Sequence, residues 1–72
     1  MVGKITLNSP VAVVYESRIA YRTVYASEIR ILRSGEPSAV YNKEGERYKF
    51  EYLDQESQER VKEIVERNIK YL

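Results

Sequence analysis

The sequence predicts an α+β domain that is mainly β: five to six short antiparallel strands forming a small barrel or bent sheet, followed by one amphipathic helix at the C-terminal end. Three observations predict it. Short runs of β-branched and aromatic residues recur between residues 2 and 53. Turn signals stand between them at Asn8–Pro10, Ser34–Pro37 and Asn42–Glu46. From Asp54 onward the apolar spacing changes from two residues to the three or four of a helix.

The elements follow in chain order. "VGKITL" is β-branched and predicts a short first strand. "VAVVYE" is continuously apolar, as expected of a central strand covered on both faces. In "RIAYRTVYA" the residues Ile19, Tyr21, Thr23 and Tyr25 alternate with Arg18, Ala20, Arg22 and Val24. This predicts a strand with Ile19, Tyr21 and Tyr25 inward and the arginines in water. "SEIRILR", residues 27–33, reads either as a strand with Ile29 and Ile31 inward or as one helical turn capped by Ser27; the strand is preferred. "SAVYN" and "ERYKFEYL" flank "KEG" and predict a hairpin. In its second arm Tyr48, Phe50 and Tyr52 point one way, as a base-stacking row or, the preferred reading, as the core seam beneath the helix, and Arg47, Lys49 and Glu51 point the other. These strands suit either an SH3-like or Sm-like barrel or a plain antiparallel sheet with a helix laid across it.

The last segment predicts a helix over 55–71. Val61, Ile64, Val65 and Leu72 form its apolar stripe, with Ile69 at the edge. Asp54 is placed to cap it and Glu56 lies in the first turn, where the macrodipole favours an acid. Glu56–Arg60, Glu63–Arg67 and Glu66–Lys70 are paired at i,i+4 with the acid first. Tyr71 and Leu72, apolar at the chain end, are expected to dock on the sheet or on a second copy.

Seventy-two residues make one domain, 1–72, close to the lower size limit for independent folding, and self-association into a homo-oligomer is expected to add stability. The chain has neither cysteine nor histidine. That removes disulfides, the common zinc and haem ligands and the usual nucleophile–base pairs. No glycine-rich phosphate loop or Asp-x-Asp pair is present. We therefore expect a non-enzymatic protein with no catalytic residues, no metal and no cofactor. The longest apolar run, Val11 to Tyr15, is too short to cross a bilayer, and no signal-peptide pattern opens the chain, so a cytoplasmic protein without membrane contact is expected.

The formal net charge of +1 conceals an asymmetry. Residues 1–35 hold five basic groups against two acidic ones, and residues 36–72 hold seven against nine. In the first half the basic residue is almost always arginine, which binds phosphate in bidentate fashion and stacks on bases. Lys4, Arg18, Arg22, Arg30 and Arg33, with Arg47 from the second half, are the candidate anion or nucleic-acid ligands. The sequence leaves two functions open. One is a small module that binds nucleic acid or a regulatory partner through an arginine-rich sheet face. The other is a protein-interaction subunit that assembles through its sheet and C-terminal helix.

From Arg22 to Asp54 the chain also resembles the later part of the WYL family, an Sm-like barrel of bacterial transcriptional regulators. The order Arg22-Thr23-Val24, Gly35, Val40-Tyr41, Arg47, Phe50 and Leu53-Asp54 carries the resemblance. Ser38-Ala39-Val40 stands near the place of the family's Trp-Tyr-Leu segment, and one extra residue separates Phe50 from Leu53. The resemblance implies a ligand-sensing or nucleic-acid-binding barrel, with Arg22, Arg33 and Arg47 meeting the anion.

Overall fold

The computed structural model describes residues 3–69. Four antiparallel strands form one open sheet in the order β1-β2-β3-β4: β1 is Gly3–Glu16, β2 Tyr21–Ile31, β3 Pro37–Tyr41 and β4 Arg47–Lys49. A single 3₁₀ turn follows at Phe50–Tyr52, then the helix α1 over Gln55–Ile69. The protein is thus mainly β with one C-terminal helix.

The count of five to six strands is corrected to four because two pairs of expected strands are continuous. "VGKITL" and "VAVVYE" are both parts of β1. Asn8–Pro10 produces a register shift between Thr6 and Val11 and no chain reversal. "RIAYRTVYA" and "SEIRILR" likewise merge into β2, which settles residues 27–31 as strand. Among the described residues the sheet does not close into a barrel. After the 3₁₀ turn, Leu53 makes one isolated bridge to Tyr15 of β1.

"VAVVYE" is also not a central strand. It lies at the sheet edge, and its apolar character reflects cover from the side. The start of α1 runs along that edge and satisfies its backbone. Ser57 Oγ accepts from the Val14 amide at 2.8 Å, the Asp54 amide donates to the Val14 carbonyl at 3.0 Å, and the Arg60 guanidinium donates to the Ala12 carbonyl at 2.6 Å. Unpaired edge groups invite foreign strands, and here the helix blocks them.

Cross-strand pairs carry the core. Ile5 lies opposite Ile29, Ile29 opposite Val40 and Val40 opposite Tyr48, all on the face toward the helix. Val13 and Val24 pair on the same side. These residues with Ala26, Ile31 and Leu53 pack against Val61 and Val65, as the helical stripe requires, with Ile64 half-buried beside them. Leu72, Tyr71 and the Glu66–Lys70 pair lie outside the described residues, as does the Ile69 side chain. Asp54 caps the helix as expected, Oδ1 accepting from the Ser57 amide at 2.8 Å. The Ser57 hydroxyl and then its amide hold the Asp54 carboxyl below its ordinary value of 3.8, with a smaller pull from Arg60 opposing slight desolvation. Glu56–Arg60 and Glu63–Arg67 each approach to 4.0 Å.

Two turns share one geometry. Leu32 donates to Glu36 and accepts from Gly35; Asn42 donates to Glu46 and accepts from Gly45. Both glycines take positive φ, 92° and 85°, which other residues adopt only with strain.

In the region of β2 before Ala26, the expected inward set is reversed. Ile19, Tyr21 and Tyr25 are 94 %, 75 % and 62 % exposed, while Val24 and Ala26 are buried. Arg18, Ile19 and Ala20 are not in a strand at all. They belong to the tip joining β1 to β2, which Ser17 fastens by donating from its amide and hydroxyl to the Ala20 carbonyl at 3.0 and 2.9 Å. With the strand starting at Tyr21, the small residues Val24 and Ala26 meet Val13 and Val11. A one-residue change of phase moves every side chain to the opposite face. The row Tyr48, Phe50, Tyr52 is likewise broken, because the 3₁₀ turn begins at Phe50: Tyr48 is buried, Phe50 is half-buried and Tyr52 is exposed.

Candidate nucleic-acid interface

Pairing across the sheet fixes which residues share the face turned away from the helix. Beside the buried row Ile5, Ile29, Val40 and Tyr48 stand two outer rows. One runs Lys4, Arg30, Ala39, Lys49; the other runs Thr6, Glu28, Tyr41, Arg47. Directly opposed residues in an antiparallel sheet point to the same side. These eight positions therefore hold four cations and one acid. Across the three strand spacings from Lys4 to Lys49 the patch is about 14 Å wide.

Glu28 organises the middle of the patch. Its carboxylate accepts from Arg30 Nε at 3.2 Å and lies 3.8 Å from Lys4 Nζ. One carboxylate shared by two cations leaves a net positive charge, and both cations remain open to solvent, Lys4 at 60 % and Arg30 at 43 % side-chain exposure. The Arg30 guanidinium also lies over the Tyr41 ring, 5.2 Å from its centre. Tyr41 is half-buried, so the ring supports the guanidinium in a fixed position while the charge faces outward. Arg47 and Lys49 flank Tyr48 on β4 and are exposed; the Lys49 ammonium stands 5.9 Å from the centre of the Tyr52 ring. Among the described residues neither makes an ion pair.

The six residues picked from the sequence separate into two groups. Lys4, Arg30 and Arg47 come together on this face. The others do not: Arg18 is in the hairpin tip, Arg33 is in the turn after β2, and Arg22 stands opposite Tyr15 on the side that carries Val24. The expectation that Arg18 and Arg22 share a strand face is overturned because Arg18 is not in a strand. Arg22 lines a cleft of about 400 Å³ between β2 and the β3–β4 turn, together with Tyr25, Glu44, Glu46 and Tyr48. The residue missing from the expected set is Lys49. Its alternation with Tyr48 is visible in "RYK".

Among the described residues no three carboxylates converge on a common point, and no helix is long and apolar enough to cross a membrane. No family model, curated protein or solved structure matches the chain.

Proposed function

We propose that this protein is a small binding module that holds a nucleic-acid backbone on the outer face of its sheet. The observation that supports it most is the two-row patch of Lys4, Arg30, Arg47 and Lys49 around the single acid Glu28. Cations fixed on a sheet at strand spacing neutralise successive phosphates, and released counterions drive the association. Arg30, held by Glu28 and by the Tyr41 ring, is the pre-oriented ligand. Lys4, Arg47 and Lys49 are free to follow the backbone. Phosphate contacts of this kind give position and affinity without sequence preference. Of the three arginines singled out by the WYL resemblance, Arg47 alone lies on the patch, and the reading rests on the patch itself.

The test is a titration of labelled single-stranded and duplex oligonucleotides, followed by fluorescence anisotropy. Reversing Arg47 and Lys49 together to glutamate is expected to weaken binding at least about tenfold near 50 mM salt. At the same salt, reversing Arg18 or Arg22, which lie in the hairpin tip and on the opposite side of β2, is expected to change it less than roughly threefold. Equal losses from both groups, or no binding at low salt, would refute the proposal.

A further inference from the structure

The second half of the β1–β2 hairpin has one protected edge and one bare edge. β1 is covered from Ala12 to Tyr15 by Leu53, Asp54 and the start of α1. On β2 the partner β3 pairs only with residues 28–31, so the edge of Tyr21–Ala26 away from β1 pairs with no strand among the described residues. The bare stretch is Tyr-Arg-Thr-Val-Tyr-Ala, rich in the residues that strands prefer. It has no proline or lysine, and Arg22 is its single charge. Its outward side chains, Tyr21 and Tyr25, are 75 % and 62 % exposed.

We infer that this edge pairs antiparallel with the same edge of a second copy, joining two sheets into one. The pattern is self-complementary. A two-fold axis normal to the sheet keeps the outer faces together, so the register centres on a residue. Centring on Arg22 opposes two guanidiniums and is disfavoured. Centring on Val24 sets Tyr25 against Thr23 and leaves Tyr21 without an aromatic partner. Centring on Thr23 brings Tyr21 opposite Tyr25 of the second copy twice over, Thr23 opposite itself and Arg22 opposite Val24. Aromatic and threonine pairs are among the favourable cross-strand neighbours. A cleft of about 400 Å³ lies beside this edge, between it and the β3–β4 turn. In this register the second copy's hairpin tip, with Arg18, points toward the turn that carries Glu44, Lys43 and Glu46. The inference is independent of nucleic-acid binding, since none of these residues lies in the outer rows of the basic patch.

The chain has no cysteine, so an introduced thiol is unique. Thr23→Cys places two thiols on the axis, within reach of a disulfide. Tyr21→Cys places them about 13 Å apart, out of reach. Under diamide the first variant is expected to become a covalent dimer and the second to remain uncoupled. The contact is small, so sedimentation of the native chain is followed up to roughly 1 mM, where a reversible dimer is expected. Thr23→Lys, at an exposed position, should abolish that dimer with an unchanged circular dichroism spectrum. A native chain that stays monomeric, a dimer indifferent to Thr23→Lys, or equal coupling of the two cysteine variants would overturn the inference.

Discussion

The two halves of the sheet's outer surface carry opposite chemistry, although β2 runs through both. Near the chain's N-terminal end, where β1 to β4 lie side by side, the outer face presents Lys4, Arg30, Arg47 and Lys49. In the hairpin before Ala26 it presents Tyr21, Thr23 and Tyr25, with no strand on one side among the described residues. In the four-stranded region β2 and β3 are flanked by strands on both sides. A two-stranded arm with a bare edge can gain from another strand. Position in the sheet, as well as composition, decides what each stretch of the same strand offers.

The sharpest contrast lies within β2. Ile29 is fully buried in the four-stranded region, so Ile29→Ala is expected to cost about 2–5 kcal/mol, much of the stability of so small a chain. Tyr25→Ala, four residues earlier on the exposed side, is expected to stay within roughly 0.5 kcal/mol at concentrations where the chain is monomeric. Urea unfolding of both variants measures the difference. Comparable losses would mean that the arm is packed more tightly than its exposure shows.

Next in size is the contact that closes the β1 edge. Ser57→Ala removes the acceptor for the Val14 amide and is expected to cost about 1–3 kcal/mol by the same assay. It should also speed hydrogen exchange at Val14 while leaving the bare β2 edge unaffected. A smaller effect concerns the patch. Glu28→Gln releases Lys4 and Arg30 from their shared carboxylate. We expect several-fold tighter oligonucleotide binding at low salt, roughly the effect of one charge. Weaker binding would mean that Glu28 is needed to orient Arg30.

The smallest effect is a pH dependence. Hydrogen bonds from Ser57 favour ionised Asp54, so its folded pKa lies below the unfolded one. Its contribution is therefore fully present above the ordinary value of 3.8 and is lost as pH falls through the lower folded value. Asp54→Asn should flatten the acid limb of the stability profile below the ordinary carboxylate value and change little at neutrality, since asparagine also caps well. An unchanged acid limb would assign it to other carboxylates.

Much of this was legible in the residues. The helix, its Asp54 cap, its Val61–Val65 stripe and both glycine turns follow from local chemistry, where neighbours in sequence are neighbours in space. The inward face of residues 21–26 did not. Both alternating sets contain apolar residues, so period two alone does not choose between Tyr21 with Tyr25 and Val24 with Ala26. The choice is made by space: the gap opposite Val11 and Val13 is filled by small side chains. The open sheet was also hidden, because Asn8–Pro10 has turn chemistry yet serves as an irregularity inside β1. Of the patch, Lys4, Arg30 and Arg47 were visible as charges. Their meeting on one face depends on strand pairing between distant segments, which no local pattern encodes.

The most direct test of the central claim is the salt dependence of oligonucleotide binding by the native chain and by Lys49→Gln. If the outer-face cations bind phosphates, the plot of log K against log salt should have a slope between about −2 and −4 for the native chain, and Lys49→Gln should make it shallower by about one unit. A slope near zero, or one that Arg18→Gln changes and Lys49→Gln does not, would contradict the account.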